Sequence, residues 1–118
     1  MAKQLIGQQG EVRIIRIDGL PEGMTTQPVE RDAQGRHIVS HSESGHHHVL
    51  PADCAVMERI SDVPPGMKIL HGIVTNPSSL IQTATAGHKE IALDPGIYEF
   101  RISREFDPFA EQTRRVAD

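Results

Sequence analysis

Seven of the 118 residues are histidine, and five of these fall between positions 37 and 48. The densest stretch is Val39-Ser40-His41-Ser42-Glu43-Ser44-Gly45-His46-His47-His48-Val49-Leu50. Imidazole changes charge near neutral pH and is the commonest protein ligand for transition metals. Ser44-Gly45 reads as a two-residue hairpin turn. Glu43 then opposes His46, Ser42 opposes His47, and His41 opposes His48. Strand side chains alternate faces, so His41, Glu43, His46 and His48 share one face, with Ser42 and His47 on the other. Opposed Cβ atoms lie about 4.5–5.5 Å apart, close enough for rings to converge on one ion through bonds of about 2.0–2.1 Å. Serine suits a type I′ turn poorly, which leaves a longer loop open. A slip of one residue would keep His46 and His48 together and separate them from His41.

Imidazoles on a shared face oppose one another's protonation, and a metal ion removes the conflict by requiring the neutral ring. Glu43 offers a carboxylate as ligand or as acceptor for an imidazole N–H. His88, in Thr85-Ala86-Gly87-His88-Lys89-Glu90, is a candidate fourth imidazole. The expected metal ligands are His41, His46, His48 and His88, with Glu43 as the remaining candidate. A nitrogen-rich set of this kind suits Zn, Ni, Cu or Fe better than Ca or Mg. Plainer roles compete: an H-x-H pair can be a solvated strand face, a histidine triplet can hold nickel adventitiously, and His88 can be a hydrogen-bonded loop residue. His37 reads as a surface residue. His71, in Ile69-Leu70-His71-Gly72-Ile73, reads as a satisfied core or interface histidine. His47 should point away from the site.

The elements that must position these residues are short strands. Ile, Val and Thr occur in runs broken by Gly, Pro, Asn and Asp, an all-β rhythm. Strands are expected over 11–17, 27–31, 37–43, 46–50, 55–60, 68–74, 80–85 and 97–104. Asp32-Ala33-Gln34-Gly35 is a turn, with Gly35 free to take positive φ. Asp94-Pro95-Gly96 is another. After Asp107, which can cap a helix with Pro108 at its first position, residues 107–118 read as a short helical segment, docked on the domain or on a neighbouring chain. Residues 1–106 form a single β domain. So many strands in one short chain imply a small barrel or a two-sheet sandwich, with cupin-like or jelly-roll layouts among the candidates.

Composition excludes several functions. The formal charge is −4, which argues against a nucleic-acid partner. Aromatic residues are limited to Tyr98, Phe100, Phe106 and Phe109, too few for a stacking platform. Isoleucine, valine and leucine number 12, 8 and 6, enough for an aliphatic core. Cys54 is the sole cysteine, so no intrachain disulfide can form, and it reads as a buried inert thiol. No apolar run has the length to span a bilayer, and the N-terminal residues lack a signal-peptide pattern. A cytoplasmic or virion location without a membrane partner is expected. Neither a G-x-S-x-G elbow nor a phosphate-cradling glycine loop occurs.

The stretch from His41 to His48, with His88-Lys-Glu-Ile-Ala-Leu-Asp-Pro-Gly-Ile-Tyr98-Glu-Phe and Arg104-Glu-Phe-Asp-Pro, resembles a group of small uncharacterised bacterial and phage β-proteins. These carry a G-H-x-H element, a histidine about forty residues later, then I-x-L-x-P-G-x-Y and R-E-aromatic. The resemblance spans most of positions 10 to 118. It implies that His41, His46, His48 and His88 belong together, and it implies a phage or prophage origin. Relatives of this pattern carry a further histidine shortly before the one matching His88, where this chain has Thr85-Ala86-Gly87. The H-x-H pair also resembles that of cupins. The glutamate cupins place a few residues later is missing here, Glu58 being ten residues on, and His88 precedes Pro95-Gly96 rather than following it.

The sequence therefore points to a non-catalytic structural or accessory protein with a histidine-cluster site for a divalent transition metal, assembling as a homo-oligomer or within a virion. Two other readings stand beside it. One is a cupin-like metalloenzyme, in which an open coordination position activates water or dioxygen. The other is a metal-free, pH-sensitive assembly interface built on the same histidines.

Overall fold

A computed structural model of the chain describes residues 3–41, 47–83 and 90–103. Glu43, His46, His88 and the helical segment expected over 107–118 lie outside these residues. Ten strands are described: β1 (Lys3–Gln9), β2 (Val12–Ile17), β3 (Thr26–Pro28), β4 (His37–Ser40), β5 (His48–Leu50), β6 (Ala55–Arg59), β7 (Met67–Val74), β8 (Ser78–Gln82), β9 (Ile91–Leu93) and β10 (Gly96–Ser103). They form two open antiparallel sheets, so the sandwich is realised rather than the barrel. The larger sheet runs β1-β2-β10-β7-β6-β3 and the smaller β4-β5-β8-β9.

Alternation along the three central strands of the larger sheet builds one wall of the core. Phe100 on β10 is flanked by Ile14 on β2 and Leu70 on β7, and Ile102 pairs with Val12. All four aliphatic residues and Phe100 are buried. The smaller sheet answers with Val39, Leu50, Leu80 and Leu93. Each large apolar side chain withdrawn from water here contributes about 1.5–3 kcal/mol. Tyr98 keeps its hydroxyl satisfied by donating to the Asp94 carbonyl at 2.6 Å, which ties down the predicted Asp94-Pro95-Gly96 turn.

Two strand irregularities set the positions of the polar residues. In β1 the register shifts between Leu5 and Gly7, so Ile6 is an extra residue. A bulge of this kind reverses the face on which later side chains fall. It explains why Lys-Gln-Leu-Ile-Gly-Gln-Gln shows no alternation and yet forms a strand that the sequence reading does not anticipate. Beyond the bulge, Gln9 pairs with Val12 across a two-residue turn, Gly10-Glu11, with Gly10 at φ 58°. The second shift falls between Ile38 and Ser40, where β4 meets β5. It sets Ser40, not His41, opposite His48. The Asp32–Gly35 turn forms as expected, with Asp32 Oδ1 accepting from the amides of Gln34 and Arg36.

Gly72 lets Phe100 reach the centre of the sandwich. A Cβ at position 72 would stand 2.9 Å from Phe100 Cε2 and 3.8 Å from Leu50 Cδ1. Gly72→Ala is therefore expected to destabilise the fold by about 1–3 kcal/mol through overpacking. Urea unfolding reads this as a lower midpoint at unchanged slope. A midpoint equal to wild type would show that the ring has room to retreat.

Candidate functional site

His48 is the histidine whose surroundings are most fully built. It lies on β5 beside Leu50, faces the sandwich interior and is 1% exposed. Burying an imidazole costs free energy unless its nitrogens find partners. Nδ1 stands 2.7 Å from Gln9 Oε1, across the gap between the sheets. Gln9 Nε2 donates to the Leu80 carbonyl at 3.0 Å. A carbonyl only accepts, so this bond fixes the orientation of the Gln9 amide and turns its oxygen to His48. His48 Nδ1 therefore carries the proton and donates. On the other side of the ring, Nε2 is 3.3 Å from Glu11 Oε1. Ser40 Oγ donates to Glu11 Oε2.

Two residues at the β1–β2 turn, Gln9 before it and Glu11 within it, thus grip three strands of the opposite sheet. Gln9 holds β5 through His48 and β8 through Leu80, while Glu11 holds β4 through Ser40 and β5 through His48. Partial burial pushes the Glu11 carboxyl up, but hydrogen bonds from His48, Ser40 and the backbone, with the charge of His48, outweigh it and bring the carboxyl down to about 2. The anion is the form that this site is built to hold.

The other predicted residues divide. His41 leaves the His48 face: its Nε2 is 3.0 Å from Glu30 Oε1 near the surface, and its ring meets that of His47 edge-on, centroids 4.7 Å apart. The β4 bulge is the cause, since it moves the register by one residue and sends His41 and His47 to one side and His48 to the other. His37 is buried rather than at the surface, with Nε2 2.7 Å from the Cys54 carbonyl. Cys54 is buried as expected, and its burial pushes the thiol up, away from the nucleophilic thiolate. His71 is buried, but neither ring nitrogen finds a hydrogen-bond partner among the described residues. No group of three or more His, Cys, Asp or Glu side chains suited to a metal occurs among the described residues. His48 and Glu11 form a two-donor pair, and the positions of Glu43, His46 and His88 lie outside the described residues.

Sequence reasoning missed Gln9, Glu11 and Ser40. Gln9 lies 39 residues from His48 and Ser40 lies 29 from Glu11, so no local spacing joins them. One signal was present in the glycine after Gln9. Gly10 followed by an apolar strand marks a tight turn, and a tight turn brings the residues on either side of it to one end of the sheet.

The chain belongs to a family described as a domain of unknown function, DUF8820, whose model matches residues 8–103. No curated protein and no solved structure matches it. The matched span begins just before Gln9 and covers the whole of the Gln9–Glu11–Ser40–His48 contact. No helix among the described residues is long and apolar enough to cross a membrane.

The depressed Glu11 carboxyl makes an acid-dependent prediction. Its stabilisation is complete above its ordinary value near 4.5 and is lost as pH falls towards about 2. The side chain is 34% exposed, so solvent screening trims its contribution to about 1–2 kcal/mol. Glu11→Gln should be less stable than wild type by that amount at pH 7, and the gap should close between pH 4.5 and 2. Chemical denaturation across this range checks it. A gap that persists unchanged at the acid end would contradict the ion pair.

Proposed function

We propose that this protein is a non-catalytic β-sandwich whose histidine hairpin holds a divalent transition metal, the ion clamping the β1–β2 turn to the β4–β5 hairpin. One observation carries the reading. His48 donates its Nδ1–H to Gln9 Oε1 and points Nε2 at the Glu11 carboxylate, with Nε2 and Oε1 3.3 Å apart. A metal-bound histidine typically donates its other ring N–H to an outer acceptor, the place that Gln9 Oε1 takes here. The ion would replace the contact between Nε2 and Oε1 and take both atoms as ligands. His46 and His88, with Glu43, are the remaining candidate donors. His41, engaged by Glu30 and His47, drops out of the ligand set, and Glu11 enters it. Nitrogen donors from histidine favour Zn, Ni, Cu or Fe. Because the ion binds only the folded chain, it stabilises the fold by linkage.

The same contact supports a second, metal-free reading. With no ion present, His48 donates to Gln9 and stands against the Glu11 carboxylate, so that the contact itself clasps the two sheets.

Elemental analysis of untagged protein, purified without chelating resin, separates the two. The metal reading expects about one equivalent per chain in wild type and a loss of at least about tenfold in His48→Ala and in His46→Ala/His88→Ala. The double variant leaves the Gln9 and Glu11 contacts of His48 in place, so its loss of metal does not depend on a damaged core. Metal-free wild type, or equal metal in wild type and both variants, overturns the metal reading.

A further inference from the structure

His71, read from the sequence as a satisfied histidine, is 0% exposed and has no hydrogen-bond partner for either ring nitrogen among the described residues. His37 and His48, also buried, each bond through a ring nitrogen. A neutral imidazole in such a place costs the bonds that it does not make. An imidazolium adds the cost of a buried charge, which is far larger unless the charge is paired.

Strand pairing identifies the groups that could pair it. His71 stands opposite Met57 on β6 and Glu99 on β10, and cross-strand partners share a face. Arg59 on β6 and Arg101 on β10, each opposite Ile69, lie one row along the same face, and Arg13 on β2 lies opposite Arg101. Lys3 reaches this face from β1, with Nζ 3.6 Å from Glu99 Oε1. Along the paired strands the charged groups here are thus one anion, Glu99, and four cations, Lys3, Arg13, Arg59 and Arg101.

The anion is already engaged. Arg101 Nε donates to Glu99 Oε2, and Lys3 stands at the other oxygen. Burial pushes the Glu99 carboxyl up, but the hydrogen bond and charge of Arg101, with the charges of Lys3 and His71, outweigh it and hold the carboxyl below its ordinary value. Glu99 therefore stays ionised in mild acid, with two cations on it before His71 takes a proton. Burial likewise lowers the proton affinity of His71; Glu99 opposes this, and Arg59, Lys3 and Arg101 add to it.

We propose that His71 is a proton-operated release in the larger sheet: β7 stays packed between β6 and β10 while the ring is neutral, and mild acid opens the sheet by charging it. The proton comes from solvent. In the opened chain the ring accepts it at its ordinary value of 6.5, so the folded state binds fewer protons. The stabilisation is therefore complete above 6.5 and is lost as pH falls from there through the ring's lower value in the fold. This window lies above that of Glu11.

Urea unfolding of the full-length protein and of His71→Gln, which keeps a polar side chain that cannot take the proton, reads the release. Relative to the variant, wild type is expected to lose at least about threefold in its folding equilibrium over the first pH unit below 6.5. Losses through other histidines or a bound metal are common to both chains and cancel. Parallel profiles overturn the proposal. Nuclear magnetic resonance titration of the His71 ring in wild type decides it even where the variant does not fold. A midpoint below 6.5 is expected, and one at or above 6.5, as a stable pair with Glu99 would give, overturns it.

Discussion

Leaving the nitrogens of a buried imidazole without partners costs free energy, and His48 sets both of its own against the sheet opposite. The apolar layers of the sandwich attract without direction and would tolerate sliding. The Gln9 and Glu11 contacts do not, because hydrogen bonds are lost over a few tenths of an ångström and a buried, unpaired partner costs more than the bond contributes. Gln9 bonds His48 and the Leu80 carbonyl, while Glu11 bonds His48 and Ser40. The β1–β2 turn thereby sets where three strands of the smaller sheet stand. The bulge in β1 and the bulge in β4 serve that arrangement. The first brings Gln9 onto the inner face, and the second brings Ser40 opposite His48.

Much of the fold was legible. The strand runs at 12–17, 67–74 and 96–103 carry their own alternation or β-branched density, and punctuation at Asp32–Gly35 and Asp94–Gly96 marks real turns. What could not be read was the effect of an inserted residue. Ile6 hides β1 by breaking its alternation. The β4 irregularity moves every pairing beyond it by one position, so a hairpin derived from the Ser44-Gly45 turn puts His41 on the wrong side. Bulges depend on the neighbouring strand, which local periodicity does not contain. Histidine content drew attention to the stretch that holds His48. It could not reveal that the partners of His48 would be a glutamine and a glutamate from the N-terminal hairpin.

The five histidines among the described residues therefore do not act as a single group. His48 is a buried bridge, His41 and His47 are neighbours towards the surface, and His37 is committed to the Cys54 carbonyl. His71 belongs to a separate region on the far side of the larger sheet, beside Glu99. Burial disfavours the charged His71 ring, the Glu99 carboxylate opposes that effect, and the nearby Arg59, Lys3 and Arg101 add to it, leaving the ring's affinity for a proton lowered. His71 stays within its own sheet, whereas His48 joins two.

Nitrogen-15 spectroscopy of the His48 ring, in full-length protein near neutral pH, addresses the bridge most directly. The account predicts a slowly exchanging proton on Nδ1, held by Gln9, and an Nε2 signal that responds to Glu11→Gln. A neutral ring protonated on Nε2 alone, with a bare Nδ1, would contradict it. That tautomer has nothing to offer the Gln9 carbonyl oxygen, and the link between the sheets would not exist.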